Sequence, residues 1–412
     1  MDVIKKVING VKVTYIKTDK FKSIAGRLHF RSLINKEKVT KRMLLRDIMI
    51  DNCKRYNTNQ KLNLNCLENY DATYYASVYQ DGNYITSSFT FSFINERFID
   101  DKVTDSAINT FCEIVFNPNV NNDEFDKKTF DLCYKKAEEG IKRRKEDPDA
   151  YCFYKLNQLM GKDKPYAFDA DLDVLKKQST KSIYDEYKDM INDSEVSLYL
   201  VGDFDYESVA KEITKHIKMN KDYDEEIIVN NDFKKKMVSD ECKLNTSASV
   251  LSVGFKCKDL TDYERVYVMP IYSNILGGGS TSRCFDQIRE KNSLAYYAYS
   301  SYKKVYGIMY IYAGIQKENK DKTLNLMMDI QKSMKKITKK ELDIAKKEID
   351  TTFKRLSDGY IKLLSTYYYI DIMNEDDIEE KMKKFQKVTI KEVEAVHNKI
   401  LKDAYFFVRG DK

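Results

Sequence analysis

Apolar residues recur along this chain with two periods, and the alternation between the periods outlines its elements. Residues 25–30 read as a strand, 39–49 carry helical apolar spacing, and 72–79 lead through the turn Gln80-Asp81-Gly82-Asn83 into a strongly alternating run, 84–94. Further on the same order returns: a strand at 249–255, a helical stretch at 265–276, then 295–302 leading into another strand at 307–315. The two parts also close alike. Ser197-Leu198-Tyr199-Leu200-Val201-Gly202-Asp203 and Tyr405-Phe406-Phe407-Val408-Arg409-Gly410-Asp411 are β-branched and aromatic runs stopped by Gly-Asp, and each follows a helical stretch, 182–191 and 391–401. Several matches in one order point to internal duplication.

Between the halves, 219–236 is rich in Lys, Asp, Glu and Asn and suits a solvated connector. The boundary is expected near 220–240, which divides the chain into domains 1–225 and 226–412. Strand pairs joined by short turns, interleaved with long helices, predict an α+β class in which each half is an antiparallel sheet covered by helices.

Composition narrows the function classes. The 71 Lys+Arg against 65 Asp+Glu leave a net charge of only +6 over 412 residues, and the signs are interspersed, so no nucleic-acid footprint is expected. No apolar run approaches the ~18 residues that span a bilayer. Residues 1–20 alternate Lys with Val and Ile rather than forming the apolar core of a signal peptide. The eight cysteines include no CxxC pair and read as reduced thiols, so a cytoplasmic location is expected.

The most distinctive stretch runs Leu276-Gly277-Gly278-Gly279-Ser280-Thr281-Ser282-Arg283-Cys284-Phe285-Asp286-Gln287-Ile288-Arg289-Glu290-Lys291-Asn292-Ser293-Leu294-Ala295-Tyr296-Tyr297. The three glycines precede Ser280, Thr281 and Ser282, all suitable N-caps for a helix over 283–291. Exposed backbone N–H groups at such a terminus suit an anion, but no GxxxxGK[ST] follows, so a nucleotide phosphate loop is a weak reading. Taken whole, the stretch resembles the C-terminal signature of the insulinase (pitrilysin-like, M16) metallopeptidase family: a Gly-rich turn, Ser-Thr-Ser-Arg, an Arg-Glu-Lys helix end, then Leu-Ala-Tyr. The paired halves, Glu146-Asp147-Pro148 and the Leu-Val-Gly-Asp strand end extend the resemblance over nearly the whole chain.

The resemblance implies that the chain forms half of a clamshell around a peptide chamber. It implies that Arg289 and Tyr296 bind substrate beside the scissile peptide, where a planar guanidinium and a phenol supply donors. Tyr297 and Tyr299 are candidates by proximity alone. It also implies a zinc site on an inverted His-x-x-Glu-His helix, which this sequence does not supply. Its only histidines are His29, His216 and His397. Aligned by resemblance, Met43 stands for the first His, Arg46 for the general base and Asp47 for the second His, and the downstream ligand falls near Glu139 or Gly140. A thioether, a cation and a lone carboxylate do not make that site. His29 reads as a buried or edge histidine, His216 and His397 as solvent-facing, and Tyr367-Tyr368-Tyr369 as core or interface packing.

The expectation is therefore a non-catalytic, pseudo-peptidase subunit with no cofactor of its own. It would position peptide for a zinc-bearing insulinase-type partner in a heterodimer, with no nucleic acid or membrane as partner. Two alternatives stand beside it: a structural scaffold of the same fold with no role in proteolysis, and a module that holds a peptide for another enzyme.

Overall fold

Alternating runs become strands at both ends of the chain, in a computed structural model that describes residues 2–218 and 220–411. Met219 of the expected connector, with Met1 and Lys412, lies outside the described residues. The first part supplies β1 (Asp2–Ile8), β2 (Val11–Lys17), β3 (Ser23–Leu33), β4 (Thr73–Asp81), β5 (Tyr84–Ile94), a two-residue pair β6 (Val120–Asn121) and β7 (Glu124–Phe125), and β8 (Glu195–Gly202). The second supplies β9 (Val238–Leu244), β10 (Ser249–Cys257), β11 (Ala295–Lys303), β12 (Ile308–Ile315) and β13 (Ile400–Gly410).

The first sheet has the order β1-β2-β8-β3-β5-β4 and the second β11-β12-β10-β13-β9. Read from opposite ends, β4-β5-β3-β8-β2 and β11-β12-β10-β13-β9 are the same arrangement, so the echo in the sequence is an echo in topology. Most pairings are antiparallel, but β2 with β8 and β9 with β13 are parallel. Both parallel pairs join strands remote in sequence, which return to the sheet through helices rather than hairpins. The β4–β5 turn needs glycine: Gly82 has φ +63, and a Cβ there would lie 1.6 Å from the Ile227 carbonyl oxygen.

The chain divides into two compact units that are not contiguous. One comprises 1–141, 169–227 and 356–375, and the other 142–168, 228–355 and 376–412. In the first, Leu28, Phe30, Leu198 and Leu200 are fully buried on one face of the sheet, in a core shared with the helices Lys36–Asp51, Thr104–Phe116 and Thr180–Asn192. Each such side chain contributes about 1.5–3 kcal/mol of burial. The starts of two of these helices are fixed by sequence: Asn35 accepts from the Lys38 N–H at 2.9 Å, and Ser179 with Ser182 forms a capping box.

The opposite face of that sheet is polar and aromatic, and the helix Tyr360–Ile372 closes it. His29, with no exposed surface, stacks on Tyr368 at 4.0 Å and lies 2.8 Å from the Tyr79 hydroxyl through Nδ1. Burial first, then the Arg27 charge, holds its pKa well below the usual histidine value. Tyr368 and Tyr369 donate to the buried carboxylate of Asp81 at 3.1 and 2.7 Å, and Thr86 donates at 3.1 Å. The tyrosine block is thus packing and hydrogen bonding within one unit.

In the second unit, Leu251, Val253 and Phe407 face one core. Val250, Phe406 and Val408 face another, built with Cys152, Leu156 and Met160 of the helix Pro148–Gly161. Contact there is close: a Cβ on Gly254 would lie 2.3 Å from Met160 Sδ. Two expectations are corrected here. The helical reading of 391–401 holds to Lys399, through a 3-10 turn over His397–Lys399, and fails at Ile400 and Leu401, which belong to β13. His397 is buried rather than solvent-facing, with Nδ1 3.0 Å from the Tyr272 hydroxyl. No helix among the described residues is long and apolar enough to cross a membrane.

Residues 220–237 form no helix or strand. Val229 is anchored by its N–H to the Val305 carbonyl at 2.9 Å, whereas Asp224, Glu225, Glu226, Lys235 and Lys236 are exposed. Trypsin under native conditions is expected to cut first at Lys235 or Lys236, since exposed polar segments are nicked before packed elements. Mass analysis of the first fragments checks this, and initial cleavage within β5 or the Lys36–Asp51 helix would contradict it.

Candidate functional site

Ser282 begins the helix that carries Arg289: its hydroxyl donates to the Gly279 carbonyl at 2.6 Å and accepts from the Phe285 N–H at 3.4 Å. The helix is wound in wide, π-type turns over Phe285–Lys291. Arg283, in its first turn, forms a two-pronged pair with Glu341 at 2.6 and 3.0 Å and also donates to Ser333 and the Lys336 carbonyl, each at 2.8 Å. Burial raises the Glu341 pKa, but Arg283 and the Thr338 N–H and hydroxyl outweigh it and hold the carboxyl at about 2. The arginine of the Ser-Thr-Ser-Arg run is therefore a clamp onto the Lys339–Lys354 helix rather than a ligand-facing group.

Arg289 lies in the last turn with its side chain 45% exposed, its guanidinium 4.6 Å from the Phe285 ring centre and 3.8 Å from the Glu290 carboxylate. Glu290 is itself 56% exposed, so this contact contributes little. The chain then reverses at Ser293, in left-handed conformation (φ 51), and the Leu294 N–H donates to the Ile288 carbonyl at 3.0 Å. That bond ties the start of β11 to the helix end.

Tyr296 follows at once and is 68% exposed. The β11–β12 register shifts between Ala295 and Tyr297, so Tyr296 is the extra residue of a β-bulge. Ala295 and Ala298 both pack on the helix-covered core, which leaves Tyr296 and Tyr297 together on the other face. Tyr297 is not free: its hydroxyl donates to Asp149, in the first turn of the Pro148–Gly161 helix. Burial and that carboxylate push the Tyr297 pKa up.

The three glycines serve packing. A Cβ on Gly277 would lie 2.3 Å from the backbone nitrogen of Ser300, so the Met269–Gly277 helix rests directly on β11. Gly279 lies against Glu348, whose carboxylate accepts from Asn274 at 2.9 Å and from Thr281 at 3.3 Å. A carboxylate beside the turn disfavours an anion there.

Met43, Arg46 and Asp47 lie on the Lys36–Asp51 helix in the other compact unit. Met43 packs against the core, and Arg46 pairs with Asp47 at 2.8 Å through Nε and 2.7 Å through a terminal nitrogen. The one carboxylate at the motif position is thus neutralised by the guanidinium that replaces the general base. These residues do not fit a zinc ion. Glu139 and Gly140 fall on the Lys127–Arg143 helix. Among the described residues no group of three or more His, Cys, Asp or Glu side chains is arranged to hold a metal.

Sequence reasoning missed Arg42, one position before Met43. It is buried and pairs with Glu186 at 2.5 Å. It also missed Asp149 as the partner of Tyr297, because 148 positions separate them and no local pattern links the two.

Residues 179–349 match the family described as Peptidase M16 inactive domain. A Bacillus subtilis (strain 168) protein described as "Probable inactive metalloprotease YmfF" is 24% identical over 338 residues, covering 81% of this chain and 79% of its own length. A conserved protein from Enterococcus faecalis V583 has a similar fold, with TM-score 0.89, 22% identity and coverage of 100% of this chain and 99% of its own. So has a peptidase M16 inactive domain from Pseudomonas fluorescens, with TM-score 0.81, 18% identity and coverage of 100% and 99%.

Two outcomes follow from this geometry. Gly277→Ala is expected to destabilise the chain by about 1–3 kcal/mol, because the new methyl meets backbone that has no side chain to move aside. Gly279→Ala should cost less, since it meets the end of the Glu348 side chain. Denaturant melts of both variants check the difference. Separately, metal analysis of the dialysed chain alone is expected to find well under one zinc per chain, and near-stoichiometric zinc would contradict the reading of Met43, Arg46 and Asp47.

Proposed function

Because the chain belongs to the insulinase-type (M16) peptidase family, as one of its inactive-type members, we propose that it is the non-catalytic subunit of a two-chain zinc peptidase. In this reading the partner chain carries zinc and activates water, and this chain supplies substrate contacts through Arg289 and Tyr296. One observation carries it: the position that would need His and Glu holds an Arg–Asp ion pair, while Arg289 and Tyr296 remain exposed at one helix–strand corner. Tyr296 stands exposed at a bulge, and Arg289 has beside it only the Phe285 ring and the exposed Glu290 carboxylate at 3.8 Å, so both side chains keep polar groups open to a ligand.

The chemistry asked of the pair is modest. The guanidinium offers donors to substrate carbonyls, and the Tyr296 hydroxyl donates to a carbonyl or to the oxyanion that develops as water adds. Neither group needs to change protonation, so this chain's contribution is positioning and charge stabilisation rather than proton transfer.

Co-expression with an insulinase-type chain that retains His-x-x-Glu-His tests the proposal. Arg289→Ala and Tyr296→Phe are each expected to lower peptide turnover of the assembled pair by about 10²–10³, with assembly size and melting temperature unchanged. Tyr296→Phe should reduce kcat/KM, and Arg289→Lys should restore part of the loss, since it keeps charge without the planar fork. Full activity in the double variant would favour a scaffold role for the fold instead.

A further inference from the structure

We propose that Tyr299 is a specificity-determining residue, forming a subsite for an aromatic side chain of the substrate. This rests on the reading of Arg289 and Tyr296 as substrate contacts and adds the substrate class. The bulge at Tyr296 resets the alternation of β11, so that Tyr296, Tyr297 and Tyr299 share the face opposite the buried Ala298. Tyr297 is immobilised by its bond to Asp149, and its ring lies over Gly314, where a Cβ would come within 2.4 Å of Tyr297 Cε1. Tyr299 lies beside it, with ring centres 6.1 Å apart and planes 17° from parallel. Tyr312 supports Tyr299 at 5.9 Å and is itself backed by Phe153 at 4.9 Å.

The result is a ledge of rings held in place from behind, with Tyr299 still 37% exposed at its outer end. A ring fixed in this way has little rotamer freedom left to lose on binding, and offset or edge contacts with another ring contribute beyond simple area burial. β11 is an edge strand, so an extended peptide has room to lie along it. Strand rise places Tyr299 roughly 7–10 Å from Tyr296 along the strand, close to the spacing of alternate side chains in an extended peptide. A peptide engaged at Tyr296 therefore sets a side chain two positions away over the ledge. Arg289 before the strand and exposed Lys303 at its end disfavour a cationic side chain there.

Fluorescence anisotropy with fluorescein-labelled, alanine-rich peptides that differ only in a central Phe, Lys or Ala tests this on the full chain. The Phe peptide is expected to bind about two- to tenfold tighter than the Ala peptide. Tyr299→Ala should erase that preference, and Tyr299→Phe should keep it. Equal binding of the Phe and Ala peptides by the unmodified chain, or a preference that survives Tyr299→Ala, would overturn the inference. Arg289→Ala and Tyr296→Phe in the same titrations separate the two claims. Uniform weakening of every peptide upholds the substrate reading whatever Tyr299 does, and no weakening overturns that reading even where the ledge retains its preference.

Discussion

Each sheet in this chain has two faces to bury, and the second face of each is closed by a single helix from the opposite half of the sequence. Helix 360–372 serves the first sheet and helix 148–161 the second. A sheet with one face left open would expose rows of side chains that alternation has already committed. The two solutions differ. Over the second sheet the contact is apolar, with Leu156 and Met160 against Val250, Phe406 and Val408. Over the first it is a hydrogen-bonded set around Asp81, His29 and Tyr368. Polar closure of that kind holds only if nearly every group finds a partner, because unpaired buried donors cost about 1–3 kcal/mol each. Asp81 meets the condition with three hydroxyl donors. His29 meets it by half, with Nε2 lacking a protein partner.

Helix 148–161 also prepares the candidate site in its own unit. Asp147 caps helix 148–161 by accepting the Ala150 N–H at 3.0 Å, and Pro148 occupies its first position. Asp149 is thereby fixed where it reaches Tyr297. The bulge at Tyr296, the left-handed Ser293 and the wide-wound helix ending at Lys291 are three departures from regular backbone within a dozen residues. Each redirects the chain at the point where Arg289 and Tyr296 emerge, and each is held by ordinary packing around it: Arg283 on Glu341, Gly277 against Ser300.

Much of this was legible in the residues, for identifiable reasons. Strands and helices that alternate cleanly, such as 84–94 and 39–49, declare themselves by period. The duplicated plan followed from order, and the loss of zinc ligands from a count of histidines. What stayed hidden is long-range. Nothing local to 360–372 says that it covers a sheet made from residues 2–202, and nothing near Asp149 names Tyr297. His397 reads as solvated beside Asn398 and Lys399, yet it is buried, with its ring against the Tyr272 hydroxyl 125 positions away. The parallel pairings were missed for the same reason, since hairpin logic reads only strands that are adjacent in sequence. The 391–401 stretch shows the local limit: apolar residues at 393, 396, 400 and 401 fit a helix until β13 claims the last two for the sheet.

A photo-crosslinking residue placed at position 296 reports whether this chain touches substrate. It would be carried by this chain within an assembled, active pair and exposed to a peptide during turnover. Position 296 is expected to cross-link to the peptide, whereas position 64, an exposed leucine in the other compact unit, is not. Turnover of the peptide with no cross-link at position 296 would contradict that contact.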